Sequence, residues 1–270
     1  MSAPAAWWRS MAARFGQPRR HCSSECAGRS SRLHVLMYHK VLPVPADPWT
    51  VSPEQLAAQL DLLITRGHTA IACRQIIEHL DSGRPLPDRP VLITFDDGYV
   101  NNLTHALPVL RERGLRATLF VPTGYLGLTN QWDQGQESLL GEAALRSLDE
   151  HVFEVGLHSH RHQNYRGMTI EQIADDLRQC VARLRAARIN AVPAIAYPYG
   201  GFPRGRARFR DLERMLASQG MRCGFRIGNR PNRLPLRERF RIERIDVRRD
   251  DDLVRFERKL DRAARWLGTY

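Results

Sequence analysis

Short apolar runs alternate with amphipathic stretches along most of the chain. Apolar runs at residues 33–39, 69–71, 91–95 and 117–121 predict β-strands. Between them, a segment that starts at Ser52-Pro53 carries leucines at helical spacing, at 56, 60 and 63, and segments 74–80 and 102–113 are also predicted as helices. Strands that alternate with helices indicate βα units around a parallel sheet.

The size of the chain agrees with one domain of this kind. With 270 residues and 43% hydrophobic content it can bury a full core, and α/β barrels of this length are commonly single domains. Residues 1–31 are rich in Ala, Ser and Arg and are predicted to be a disordered N-terminal arm. We therefore place one α/β domain at residues 32–270.

Two short motifs follow predicted strands and carry acids and imidazoles. The run 91–95 ends in Asp96, Asp97 and Gly98, and the strand-like run 153–157 is followed by His158 and, four residues later, His162. This spacing predicts both imidazoles on one side of a helical turn. One Asp and two His could make a catalytic metal site with room for water and substrate. Taken singly, the first motif is most often a turn and the second a solvated helix face.

Together, the two motifs resemble those of the polysaccharide deacetylases, carbohydrate esterase family 4, over about residues 33–265. The resemblance implies a distorted (β/α) barrel of seven or eight strands. It implies that Asp97, His158 and His162 bind a divalent metal, usually zinc, with iron, cobalt or nickel also compatible. It assigns the general base to Asp96 and leaves His160 beside the ligands or on the surface.

A third segment, 196–200, is similar to the Arg-x-Pro-Tyr motif of this family. The resemblance implies that the backbone amide of Tyr199 helps to hold the oxyanion. The motif's arginine, which orients the base in the family, is replaced by Ala196. The orientation of Asp96 must therefore come from elsewhere or be weaker.

The general acid of the family is expected on the last strand, but the run 240–247 contains no histidine. The first strand, however, ends in His39, and the first and last strands of a closed barrel are neighbours. This order resembles the circularly permuted poly-N-acetylglucosamine deacetylases, and it predicts His39 as the general acid. The alternative is a His39 that only caps the strand and binds backbone.

The connection 122–141 is longer than a usual βα loop, which favours a functional role. Trp132 is predicted as a platform for a sugar ring, and Asn130 and Asp133 as groups that bind its hydroxyls. The alternative is a Trp132 that packs the loop onto the barrel.

The net charge is +12, and arginines are dense between residues 204 and 249. They could meet an acidic membrane surface or a lipid-linked glycan, but a solvated face is the simpler interpretation. No nucleic-acid-binding motif accompanies the charge, so no nucleic-acid partner is expected. Five widely spaced cysteines argue against a disulfide framework. Because no signal peptide or transmembrane segment is evident, we expect a cytoplasmic location. We also expect a monomer.

The combined expectation is a metal-dependent hydrolase. It would remove acetyl groups from N-acetylated sugars of a polysaccharide or oligosaccharide, in the synthesis of an exopolysaccharide or cell-surface glycan. One alternative is an O-acetyl carbohydrate esterase. A second, from another class, is a catalytically dead glycan-binding barrel, which the missing arginine at position 196 would favour.

Overall fold

A computed structural model describes residues 32–44, 47–133 and 135–262. The expected N-terminal arm, residues 1–31, and the last residues, 263–270, lie outside the described residues. The strands are β1 (Arg32–Tyr38), β2 (Lys40–Val41), β3 (Thr50–Val51), β4 (Thr69–Ala70), β5 (Pro90–Asp96), β6 (Ala117–Val121), β7 (Phe153–Leu157), β8 (Ala191–Ala196), β9 (Cys223–Ile227), β10 (Asn232–Arg233) and β11 (Ile242–Asp246). The α-helices are α1 (Pro53–Thr65), α2 (Cys73–Ser82), α3 (Leu107–Glu112), α4 (Glu142–Arg146), α5 (Ile170–Ala186), α6 (Arg206–Ser218) and α7 (Leu253–Asp261).

Seven parallel strands of the described chain close into a barrel, which confirms the predicted fold. Their order is β1, β11, β9, β8, β7, β6 and β5, and β5 pairs again with β1. As expected, the first and last strands are neighbours, with Leu36 opposite Ile245 and Met37 opposite Asp246. The short strand β4 pairs only with the beginning of β5 and adds no further stave to the barrel.

Period-2 alternation sends one set of side chains into the barrel and the other towards the helices. The interior is a packed apolar cluster, whose members include Leu33, Val35, Leu92, Phe120, Ala194, Ala196, Phe225 and Ile242. The outward set packs against the helices in a second, larger cluster. In sequence parity, His39 continues the inward series of β1, Asp96 that of β5, and Arg244 that of β11. Their side chains are therefore expected to point towards the barrel axis at its carboxyl end, beyond the packed apolar interior.

The helices begin where their sequences provide caps. Before α1, the Ser52 side chain accepts a hydrogen bond from the Gln55 amide, and before α5 the Thr169 side chain accepts one from Gln172. Their apolar faces cover the barrel. Among the described residues, the helices are all too short or too polar to cross a lipid bilayer.

The helix predicted at 102–113 is wrong in its first half. Residues Asn102–Ala106 form a π-helical turn, and the α-helix begins only at Leu107. Pro108 has no amide hydrogen, so the usual hydrogen-bond ladder cannot continue through it. Next to this wide turn, Asn101 and Asn102 bind the chain that follows β1: Asn101 accepts from the Val41 amide at 3.0 Å, and Asn102 donates to the His39 carbonyl at 2.7 Å.

Candidate metal centre and active site

The two acids stand at the carboxyl end of β5, where barrel enzymes gather their chemistry. Asp96 is the last residue of the strand, and Asp97 and Gly98 follow in left-handed conformations, with φ of 70° and 66°. A Cβ at Gly98 would lie 2.8 Å from Cγ1 of Val121, so only glycine fits this turn. The turn separates the two carboxylates, which are both buried.

Arg244 on β11 supplies the cation that the third motif lacks. Its two terminal nitrogens donate to the two carboxylate oxygens of Asp96 at 2.6 and 2.8 Å, and its side chain is fully buried. Burial alone would raise the pKa of Asp96, but Arg244 and then His158 outweigh it and lower that pKa. Asp96 is therefore ionised at neutral pH. The signal in the sequence that could have predicted this contact is an arginine at an inward-facing position of the last strand.

His158 and His162 are not on a helical turn, so that part of the sequence prediction is wrong. Residues 158–162 form a loop in which Ser159 and His162 are left-handed, with φ of 68° and 52°. The loop is held by one local and one tertiary hydrogen bond instead of a helical ladder. The Ser159 hydroxyl accepts from the His162 amide at 2.9 Å, and the Ser159 carbonyl accepts from the amide of the distant Thr123 at 3.1 Å. The Thr123 hydroxyl also lies 3.0 Å from Nδ1 of His160, which packs beside the ligands.

The loop nevertheless brings the three predicted ligands together. Ligand atoms of Asp97, His158 and His162 all lie within 4.8 Å of one another, and all three residues are buried. Oδ1 of Asp97 lies 3.1 Å from Nε2 of His162 and 3.4 Å from Nε2 of His158. Two ligands of one tetrahedral zinc ion, each about 2.1 Å from it, are about 3.4 Å apart. The separations thus suit a single shared ion.

The donor set also fits a metal in its protonation state. Nδ1 of His158 lies 2.8 Å from the carbonyl of Ala196, which fixes the ring and directs Nε2 towards Asp97. Burial lowers the pKa of His158 to about 4, so the imidazole is neutral. Burial opposes ionisation of Asp97, but the nearby histidines outweigh it and its pKa lies well below the ordinary value. Oδ1 of Asp97 is buried without a hydrogen-bond partner among the described residues, as expected of an atom that faces an ion.

His39 lies next to this centre, where the closed barrel predicts it. It follows the last residue of β1, Tyr38, which pairs with Phe95 beside Asp96. The charges of Asp97 and Asp96 both act on its imidazole, which places the ring on the side of the acids. Its Nδ1 is buried without a hydrogen-bond partner among the described residues. Its carbonyl, not its ring, accepts the bond from Asn102.

Trp49, which the sequence analysis did not single out, covers His39. The two ring centroids are 4.8 Å apart, and the guanidinium of Arg248 lies 4.4 Å from the centre of the indole on a cation–π contact. Arg248 is in turn bound to Asp246, at 2.8 Å. The ring of His39 is therefore held by packing.

Trp132 covers the other side of the site. Its indole stacks on the ring of His162 at 4.1 Å, with 24° between the planes, and meets Tyr125 edge-on at 4.8 Å. One face of the predicted sugar platform is thus occupied by a metal ligand. Tyr199 lies on the same side, left-handed at φ 57° and 55% exposed, with its ring 4.9 Å from that of His162.

The two polar residues beside Trp132 differ in exposure. Asn130 is fully buried: its carbonyl oxygen accepts from the Glu137 amide at 3.0 Å, and its nitrogen donates to the Tyr99 hydroxyl at 3.4 Å. Both ends of the side-chain amide are thus hydrogen-bonded inside the protein, which argues against a sugar contact. Asp133 is exposed and free to meet solvent or ligand.

Comparison with known proteins shows which proteins the chain and its site resemble. A family model described as polysaccharide deacetylase matches residues 83–214, which include the metal ligands and Asp96. Over these residues, just under half of the chain, the protein is similar to the polysaccharide deacetylases.

Individual relatives agree with this class. YxkH of Bacillus subtilis is 24% identical over 174 residues, which cover 64% of this chain and 59% of YxkH. A poly-β-1,6-N-acetyl-D-glucosamine N-deacetylase of Staphylococcus epidermidis is 24% identical over 212 residues, 75% of this chain and 69% of the relative. The solved structure of IcaB from Ammonifex degensii superposes with a TM-score of 0.67 at 26% identity, over 81% of this chain and 93% of IcaB. The chain thus spans about three fifths of the length of YxkH.

Proposed function

We propose that this protein is a metal-dependent deacetylase that removes acetyl groups from N-acetylated sugars of a polysaccharide or oligosaccharide. The observation that carries the proposal is the convergence of Asp97, His158 and His162 beside the ionised Asp96 at one end of the barrel. The similarity to a poly-β-1,6-N-acetyl-D-glucosamine N-deacetylase supports this substrate class and a role in exopolysaccharide or cell-surface glycan synthesis.

Asp97, His158 and His162 would hold one divalent ion, for which zinc is the best match; iron, cobalt and nickel also accept two imidazoles and a carboxylate. When bound, such an ion polarises an acetyl carbonyl and makes a water molecule acidic enough to react near neutral pH. Asp97, which is ionised, would balance part of the charge of the ion.

Asp96 is proposed as the general base. Its carboxylate is ionised, lies 3.8 Å from Nε2 of His158, and is therefore within reach of a water that approaches the ligands. The bidentate contact with Arg244 fixes the orientation of the carboxylate and keeps it charged. It also limits the basicity of Asp96, because the cation stabilises the unprotonated form.

His39 is proposed to protonate the departing amine, since an unprotonated amide anion is a very poor leaving group. Burial lowers the pKa of His39, whereas Asp97 and Asp96 act to raise it. The acid role thus depends on these two carboxylates to favour the protonated ring during the reaction. The backbone amide of Tyr199 is proposed to hold the oxyanion, and Trp132 and Asp133 to contact the sugar.

The arrangement supports catalysis over a dead glycan-binding barrel, because Arg244 binds and orients Asp96 although position 196 holds an alanine in place of the motif's arginine. Between amide and ester substrates, an acetate-release assay decides. We expect release from N-acetylated glucosamine oligomers that stops with a chelator and returns with zinc. Release from O-acetylated glycans alone would favour the esterase, and release from neither class would favour the binding barrel. A monomeric state, a cytoplasmic location and at most peripheral contact with acidic membranes or lipid-linked glycans are further proposals.

A further inference from the structure

Helix α5, which the structure describes throughout, has a carboxylate on its buried face. The other buried residues of the helix are small or apolar: Ile173, Ala174, Leu177, Cys180, Val181 and Leu184. Asp176 interrupts this face, and only 2% of the residue is exposed. A buried carboxylate is strongly unfavourable unless it is well hydrogen-bonded. Its partners therefore indicate what it is for.

Within the described parts of the chain, the side chain of Asp176 accepts three hydrogen bonds, two from the loop that carries the metal ligands and one from Tyr165 just after it. Its Oδ2 accepts from the His160 amide at 2.9 Å and its Oδ1 from the Arg161 amide at 2.9 Å. The Tyr165 hydroxyl donates to Oδ2 at 2.7 Å. These donors satisfy both oxygens of the buried carboxylate. The two amides lie between His158 and His162, so the carboxylate is hydrogen-bonded to the centre of the ligand loop.

The loop needs these hydrogen bonds because its backbone conformation is intrinsically unfavourable. Ser159 and His162 are left-handed, with φ of 68° and 52°, a conformation that residues with a side chain rarely adopt. No helix or strand passes through the loop to compensate. Without an acceptor for the amides of His160 and Arg161, the loop would relax to commoner backbone conformations, and the ring of His162 would leave its place 3.1 Å from Asp97.

We propose that Asp176 is a positioning residue for the metal centre: it holds loop 158–162 so that His158 and His162 face Asp97 before any ion binds. The inference rests on the proposed metal site and adds a residue that touches none of the ligand atoms. Substitution of a group that holds metal ligands in place typically lowers metal affinity by about 10- to 100-fold.

Asp176→Asn tests this with little change in shape, because the amide offers one oxygen where the loop amides need two. The purified variant is compared with wild type by competition of a chelator for Zn²⁺ and by the visible spectrum of bound Co²⁺. We expect Zn²⁺ affinity to fall by about 10- to 100-fold, with an altered Co²⁺ spectrum. A merely structural role would lower the melting temperature of the metal-free protein but leave both readouts of the folded protein unchanged.

Asp175→Asn is the matched control. It makes the same chemical change one position earlier on α5, where the side chain is exposed and bonds only to Arg178 and Gln179 among the described residues. A surface change of this kind should leave the Zn²⁺ affinity within about twofold. If both substitutions weakened Zn²⁺ affinity equally, the proposal would be overturned. The effect would then come from charge near the site and not from the hydrogen bonds between Asp176 and the loop.

Wild-type affinity in a folded Asp176→Asn variant would also overturn it. Should that variant not fold, hydrogen exchange of wild type decides: the amides of His160 and Arg161 should be protected in the metal-free protein, and exchange at the rate of free loop amides would contradict the proposal. These readouts need no substrate. A protein that binds zinc as described but releases no acetate would refute the proposed function and leave the role of Asp176 standing.

Discussion

Asp96 and His39 are placed by barrel strands, whereas His158 and His162 are placed by a loop with two left-handed residues. We call Asp96, His39 and Arg244 the strand side of the site, and His158 and His162 the loop side. On the strand side, each side chain points inward because side chains alternate along a strand, and Arg244 on β11 binds Asp96. On the loop side, side chains from elsewhere fix the backbone. The difference teaches that one active site combines groups fixed by regular structure with groups fixed by individual tertiary contacts.

The largest effect is expected on the strand side. Asp96→Asn keeps the shape of the base but cannot accept a proton, so acetyl release should fall by about 100- to 10,000-fold while metal content stays unchanged. Acetate release and metal analysis on the same preparation measure the two quantities. An active variant would remove Asp96 as the base, and loss of the metal would show that the strand side also builds the metal centre.

Arg244→Met should affect stability as well as activity. It leaves the buried carboxylate of Asp96 unpaired, which typically destabilises a protein by about 3–5 kcal/mol. In denaturant titrations, the double variant Asp96→Asn, Arg244→Met should recover part of that loss, because no buried charge is then left alone. If Arg244→Met unfolds at the wild-type denaturant concentration, the pair does not organise the strand side.

His39→Gln should slow N-deacetylation by about 100-fold or more without loss of metal. An activated acetyl ester has a better leaving group and needs the acid less, so its hydrolysis should be much less affected. Comparison of the two substrates with wild type and variant tests the role. An equal loss on both would show that His39 supports the site without donating a proton.

The smallest effect is expected from the histidine at the other end of the same strand. His34 is buried, and its Nε2 lies 3.0 Å from the Leu260 carbonyl. Burial lowers its pKa to about 4, below the ordinary 6.5. The unfolded chain then binds a proton that the folded one does not, so stability is lost as the pH falls from 6.5 towards 4. At pH 5 the loss is about 2 kcal/mol.

His34→Gln removes this titration and keeps a donor for the Leu260 carbonyl. The difference in unfolding free energy between wild type and variant should therefore change by about 2 kcal/mol between pH 7.5 and pH 5, in favour of the variant at low pH. A difference that is the same at both pH values would show that His34 stays accessible to protons in the folded protein.

What could be predicted from sequence follows the same division. The apolar runs located the strands, and closure of the barrel placed His39 near Asp96, because strand pairing follows from a period of two and short connections. The ligand identities were also available, since an Asp and an HxxxH pair stood directly after two such strands. Their atoms lie within 4.8 Å of one another in the structure.

The remainder depended on contacts between residues distant in sequence. Helical spacing of His158 and His162 predicted a helix, but the bonds of their loop go to Asp176 and Thr123, which periodicity does not report. The pairing of Arg244 with Asp96 joins positions 148 apart. The stacking of Trp132 on His162 likewise joins the loop that follows β6 to a predicted metal ligand in the loop that follows β7.

The central claim is that strand side and loop side meet around one divalent ion, and metal analysis of wild type and His158→Ala tests it most directly. Both proteins are purified, stripped with a chelator, incubated with zinc and freed of excess metal. We expect about one zinc per wild-type chain and almost none in the variant, because two protein ligands are too few to retain the ion. Equal zinc in the two proteins would contradict the account.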